Sequence, residues 1–273
     1  MKKSSALFLA LCMILSVFVL SACGGNSGSG AGNNPGGSGD SVYDTVAAAI
    51  ENTLKAKSYD ANVGATYKED LMGRVSEASM SANLKAVELD TNAPKVYFDG
   101  QQSASGYNND YDMYYDGVWK YFDINPQGGY KYQCSYAEFA EEAGAPQNII
   151  VALPESLFAG VAGTKNDDGS LSVTLTLDEA TVEELYKELV TSVVYDVVGN
   201  DLNQATTKDA VITLTVADGY IRDYKIAFVC EIVAGQDKVT YDVSQFVEFL
   251  SCDQPVTVTP PANLENFYEM SWG

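Results

Sequence analysis

The chain predicts an α+β fold in which two helices each precede a run of antiparallel strands. Three observations carry this. Apolar residues recur at helical spacing in two segments, near residues 41–57 and 181–197. Around them, hydrophobicity alternates with a period of two. The alternating segments are separated by Asp-Gly and other glycine-containing turns. A chain of 273 residues with 46% hydrophobic and 11% aromatic residues has a folding composition, and one large domain over residues 40–273 accounts for it.

In chain order, Tyr43, Val46, Ile50 and Leu54 form one stripe of a helix running from Asp40 or Ser41 to about Lys57. Tyr59, Ala61, Val63, Ala65 and Tyr67 then alternate with polar residues, as do Met80, Ala82, Leu84 and Ala86, so both segments are half-buried strands. Residues 96–100, 107–115 and 118–124 continue the meander, with a hairpin turn at Asp116-Gly117. Ser135 and Glu138 have capping-box spacing for a short helix to about Ala143. Residues 161–177 read as a hairpin turning at Asp167-Asp168-Gly169. A second long helix follows, capped by Thr181 with Glu184, with Val182, Leu185, Tyr186, Leu189, Val193 and Val197 as its stripe and Gly199 as its stop. Three strands fill residues 209–250, turning at Asp218-Gly219 and Gly235-Gln236. The sheet is expected to cover the stripes containing Ile50, Leu54, Leu185 and Leu189.

The N-terminus reads as an address. Lys2 and Lys3 precede an apolar run from Ala6 to Val19 that is short for a membrane span, the layout of a secretory signal over residues 1–22. Leu20-Ser21-Ala22-Cys23 resembles the lipobox of bacterial lipoproteins, a resemblance that implies acylation of Cys23 and cleavage before it. Residues 23–39, the lipidated cysteine and a Gly/Ser/Asn-rich stretch, then form a flexible tether with an r.m.s. reach of roughly 20–25 Å. The expected location is extracytoplasmic, anchored to the cell membrane through Cys23.

The order of elements, together with the hairpin Met113-Tyr114-Tyr115-Asp116-Gly117-Val118-Trp119-Lys120-Tyr121, resembles the LolA/LppX/LprG-like lipoproteins over most of residues 41–270. That resemblance implies a strongly curved, incompletely closed antiparallel sheet wrapped around helices, a LolA-like half-barrel, and a space between them that accepts lipid acyl chains.

Composition excludes several chemistries. The net charge of −21 becomes more negative when Lys2 and Lys3 are removed, and such a field repels nucleic acid and anionic headgroups. Without histidine there is no Ser-His-Asp or Cys-His couple and no imidazole ligand for zinc. Asn108, Asp110, Asp112 and Asp116 are rich in oxygen ligands, but Gly117 stands at the eighth position from Asp110 and no glutamate at the twelfth. A solvated strand face explains them better than calcium, and no metal or cofactor is expected. The Asn166-Asp167-Asp168-Gly169 run is read as a turn. Outside the cytoplasm Cys134, Cys230 and Cys252 allow one disulfide and leave one thiol over; buried free thiols are the default, with Cys230 opposite about Val239.

The function expected is a non-catalytic binding or carrier module for a lipid or other amphiphile. Small residues, Ala61, Ala65, Ala82 and Ala86, on the apolar strand faces leave room for a pocket. Its candidate lining is Met80, Leu84, Phe98, Ile226, Phe228 and Tyr241, and Ile149, Ile150, Val151 and Leu153, too apolar for an exposed loop, form a candidate lid. The rival reading is a glycan-binding module that stacks sugars on some of the 18 tyrosines and Trp119, or a structural surface protein with no pocket.

Overall fold

The computed structural model describes residues 41–104, 106–124, 128–143, 145–198, 205–234, 237–262 and 264–270. The signal segment, the lipobox Leu20–Cys23, the tether, Gly199 and the Gly235-Gln236 turn lie outside the described residues.

Helix α1 (Val42–Leu54) leads into β1 (Tyr59–Leu71), β2 (Arg74–Val87), β3 (Lys95–Ala104), β4 (Tyr107–Tyr115), β5 (Trp119–Ile124) and β6 (Gly128–Gln133). Two short helices follow, α2 (Tyr136–Glu142) and α3 (Pro146–Ile149), then β7 (Thr164–Lys165) and β8 (Leu171–Leu177). Next come α4 (Glu179–Leu185), α5 (Lys187–Val198), β9 (Ala205–Ala217), β10 (Tyr220–Ala234), β11 (Asp237–Cys252) and β12 (Tyr268–Glu269). All twelve strands join one sheet in the order β12-β6-β5-β4-β3-β2-β1-β11-β10-β9-β8-β7. It is two meanders fused along β1 and β11, which pair antiparallel from Tyr59↔Cys252 to Leu71↔Val239. Among the described residues only β12, on β6, pairs in parallel.

This corrects the expected architecture. Among the described residues strand makes up 53% and helix 21%, and the sheet is not closed, so it is not wrapped around helices as a half-barrel. The physical reason is one of length. β9, β10 and β11 run for 13, 15 and 16 residues, while the longest helix among the described residues, α1, has 13. The expected second long helix is also two pieces, because Tyr186 takes φ −127°, ψ 26° between α4 and α5. Its cap is Asp178, whose carboxylate accepts from the Thr181 N–H at 2.8 Å, rather than Thr181 itself. The helices are minor cover on one face of a large sheet.

Local chemistry still places that cover. Ser41 caps α1 in a reciprocal box: its hydroxyl accepts from Asp44 N–H at 3.0 Å, and Asp44 accepts from the Ser41 N–H. Val46, Ala49 and Ile50 are buried, but Leu54 is 42% exposed, so the expected stripe ends one turn early. Thr53 donates to Ala49 C=O at 2.7 Å and accepts the Ile221 N–H at 2.8 Å, where the β9–β10 register shifts. That contact ties α1 to β10. Leu185 is half-buried and Leu189 fully buried.

The sheet's inner face is apolar and its outer face is mostly polar. Tyr59, Ala61, Val63, Ala65 and Tyr67 are buried as the alternation predicted, and cross-strand neighbours on the outer face include Ser103, Ser79, Thr66 and Ser244. One outer patch is covered. Phe267, just before β12, packs edge-on against Tyr121 at 5.6 Å, and a Cβ on Gly129 would lie 2.6 Å from its ring. Gly129 is therefore needed for close approach, and Tyr114 and Tyr121 are buried although they face outward.

Candidate functional site

The six residues expected to line a pocket share the inner face: Met80, Leu84, Phe98, Ile226, Phe228 and Tyr241 are each no more than 4% exposed. They belong to one hydrophobic cluster with α1, α2 and α5 residues. Among the described cavities only Phe228 borders open space, a groove of about 620 Å³ lined mainly by outer-face hydroxyl and charged residues. The lid residues are also packed. Ile149, Ile150 and Leu153 are buried, and the Val151 backbone N–H donates to the Tyr224 hydroxyl, which itself meets that of Tyr186 at 2.6 Å.

Open space borders the helical layer in several places, one of them an end of that layer. A cleft of about 370 Å³ forms where the C-terminus of α1, the start of β1, the loop after β2, the helices α2 and α3, and the end of β11 converge. Its walls are Leu54, Ala56, Leu89, Pro146 and Phe249, and its floor is Tyr59, Tyr136 and Gln147. Tyr59 and Phe249 meet edge to face with centroids 5.8 Å apart. The capping box between Ser135 and Glu138, the latter accepting from Ser135 N–H at 2.6 Å, starts α2 so that Tyr136 reaches inward. Gln147 Nε2 donates to the Tyr136 hydroxyl at 3.1 Å, fixing the polar end of the floor. At the rim Asp90 pairs with Lys57 at 3.1 Å, an exposed pair that contributes little.

The floor polarises without carrying charge. Burial pushes the Tyr59 phenol well above its ordinary value, with the Tyr136 phenol beside it adding to the shift, and burial raises Tyr136 as well. Burial also raises the nearby Cys252 thiol to about 12. The arrangement offers an apolar wall and neutral hydrogen-bonding groups, a site for the apolar part of a small ligand with one polar atom at its inner end. Sequence periodicity marked Tyr59 only as a strand residue, and Leu54 as buried. The signal that identifies the cleft is Leu54, an apolar residue left exposed at a helix end.

Elsewhere the chemistry is structural. Asp116 accepts from the N–H groups of Val118 and Trp119 at 3.0 and 2.8 Å and from the Tyr121 hydroxyl, which makes it a turn residue. Asp112 faces outward opposite Asp99 and Asp123, and burial and the Asp99 charge raise its pKa. Among the described residues no group of acids, cysteines or histidines is arranged to hold a metal ion. Asp168 closes its turn on Ser170 and pairs with Arg222 at 2.8 Å. Cys134, Cys230 and Cys252 are free thiols, and Cys230 sits opposite Tyr241 rather than Val239. Part of the aromatic cluster is core: Tyr115 stacks on Phe139 at 5.2 Å, whereas Trp119 is half-buried beneath Lys131 at 5.4 Å.

The buried acids titrate late, with a definite sign. Tyr224 and Cys230 are each raised by burial to about 12, and Tyr59 and Tyr186 lie well above 10. In the unfolded chain these groups lose protons near pH 9–10, so the folded state then holds more protons and stability falls. Their contribution is intact below about pH 9 and is lost as pH rises towards 12. Each group contributes a slope of about 1.4 kcal/mol per pH unit in that window. Urea midpoints measured from pH 8 to 12 should fall steeply beyond pH 10; a flat profile would mean these phenols and thiols are solvated.

No protein-family model matches the chain, and no curated protein is significantly similar to it. Among solved structures, the chain has a likeness to the S-type phycobiliprotein lyase CPES from Guillardia theta, at 8% identity over 70% of this chain and 88% of that one. The TM-score is 0.19, and so slight a likeness carries no assignment. Among the described residues no helix is long and apolar enough to cross a membrane.

Proposed function

We propose that this chain is a membrane-anchored extracytoplasmic lipoprotein whose body is a non-catalytic binding module for an amphiphile. The observation that carries the binding part is the cleft at Leu54, Tyr59, Tyr136 and Phe249, with apolar walls and a neutral polar floor. At about 370 Å³ it suits a chain end or a single ring rather than a whole lipid, so most of the ligand stays outside. The anchoring part is supported by the order of Lys2-Lys3, the apolar run, Leu20-Ser21-Ala22-Cys23 and the glycine-rich tether. A glycan platform is less well supported, because Tyr121 is covered by this chain's own Phe267, Tyr114 packs against Tyr121, and Lys131 lies over Trp119.

Leu54→Asp tests the binding part. Leu54 is 42% exposed, so a charge there spoils the wall without entering the core. Native mass spectrometry of protein from cells, with organic extraction, should show an amphiphile on the wild type and at least about tenfold less on the variant, the worth of one buried leucine. Unchanged occupancy would remove the cleft from consideration, and an empty wild-type protein would remove the amphiphile.

A further inference from the structure

We propose that the cleft at Leu54 selects its ligand by an uncharged carbonyl group, to which the Tyr59 hydroxyl donates a hydrogen bond. This rests on the binding reading above and names the chemistry of the ligand's buried end. Among the described residues three buried side-chain atoms have no hydrogen-bond partner: the Tyr59 hydroxyl, Gln102 Nε2 and Thr207 Oγ1. Of these residues only Tyr59, itself 3% exposed, lines one of the described cavities. A buried hydroxyl without a partner destabilises a fold, and one at the floor of a cleft is satisfied when a ligand enters.

The floor offers protons rather than lone pairs. Gln147 Nε2 donates to the Tyr136 oxygen at 3.1 Å, so that oxygen is engaged and its own proton is available to a second partner. The Tyr59 and Tyr136 phenols lie close enough to act on each other's ionisation. Two phenolic O–H groups side by side suit one oxygen with two lone pairs, and a carbonyl oxygen presents both in the plane of its substituents. A ligand ending in an ammonium group brings donors alone and leaves the Tyr59 proton unmet.

The same floor disfavours an anion. Burial keeps both phenols neutral, and the lysines near the rim already stand beside acids: Lys55 pairs with Glu51, and Lys57 with Asp90 at 3.1 Å. A carboxylate or phosphate would leave water for neutral donors, inside a chain of net charge −21. An uncharged carbonyl loses far less on leaving water. Its apolar substituent then lies against Leu54, Ala56, Leu89, Pro146 and Phe249.

The test uses the full chain in phosphatidylcholine nanodiscs, with empty nanodiscs as the baseline, and ligand-observed NMR titrations of four single-ring probes. Acetophenone and methyl benzoate carry the carbonyl as a ketone and as an ester; ethylbenzene lacks it, and benzoate charges it. At least one carbonyl probe should bind at least about fivefold more tightly than ethylbenzene and benzoate, and the tighter of the two names the carbonyl type. Tyr59→Phe should bring the carbonyl probes down to the level of ethylbenzene, leave ethylbenzene unchanged, and abolish the downfield carbon-13 shift that the bound carbonyl shows in wild type. Its Tm should hold or rise, because phenylalanine removes an unmet hydroxyl. A lower Tm means that the hydroxyl has a structural partner, and it overturns the proposal, as does a carbonyl preference that survives Tyr59→Phe or benzoate binding as tightly as its methyl ester. Equal binding of the three uncharged probes, all weakened by Leu54→Asp, overturns the carbonyl and leaves the cleft standing. Binding of no probe, or binding indifferent to Leu54→Asp, overturns both.

Discussion

Leu84→Asp is expected to yield no folded protein. Leu84 is fully buried at the centre of the inner face, flanked across β1 and β3 by Ala61 and Phe98, which are equally inaccessible. The substitution forfeits a packed leucine, about 2–5 kcal/mol by analogy with truncation. It also leaves an unpaired carboxylate in apolar surroundings, a further cost of several kcal/mol even after it takes up a proton. Against a total stability of about 5–15 kcal/mol, the sum removes the native state. Far-ultraviolet circular dichroism and size-exclusion chromatography check this, and Leu84→Ala should fold with a loss of about 2–5 kcal/mol. A well-folded Leu84→Asp protein would mean that Leu84 faces a solvent-filled pocket, and would return the six inner-face residues to the ligand site.

Cys23→Ala is expected to move the protein from the membrane fraction to the soluble fraction, or to leave it unprocessed with a larger mass. A second and third acyl chain turn marginal binding into stable anchoring, since each buried methylene contributes about 0.8 kcal/mol. Alanine offers no thiol to acylate, so the loss is complete rather than graded. Detergent phase partition and intact mass measure it. A variant that partitions like wild type at wild-type mobility would show that the anchor lies elsewhere.

Much of the fold was legible because it is written locally. The alternation in Tyr59–Tyr67 and Met80–Ala86, the start of the first helix at Asp40 or Ser41, the Ser135 capping box, and the turn at Asp218-Gly219 depend on residues a few positions apart, and each appears where the pattern put it. What failed depended on distant partners. β6 was missed because Gly128-Gly129 opens it, and glycine reads as a turn unless one knows that Phe267 lies over it. The break at Tyr186 coincides with its hydroxyl contact to Tyr224, 38 residues on, which no helical periodicity contains. Cys230 was placed two residues out of register because a hairpin turn was counted from glycine alone.

Sequence by itself determined which face of each long strand is buried, since alternation is a property of single strands. It also supplied the whole case for Cys23 and its tether, which needs only the order of neighbouring residues. The tertiary structure decided how the strands are shared out: two meanders meet at β1 and β11, and the sheet outgrows the helices laid on it. It also decided where space remains. The alanines on the inner face admit α1, α2 and α5 rather than a ligand, whereas the cleft at Leu54 is the gap left where the ends of α1, β1 and β11 meet the loop after β2 and helices α2 and α3. Packing is a sum over all neighbours at once, so no stretch of sequence contains it.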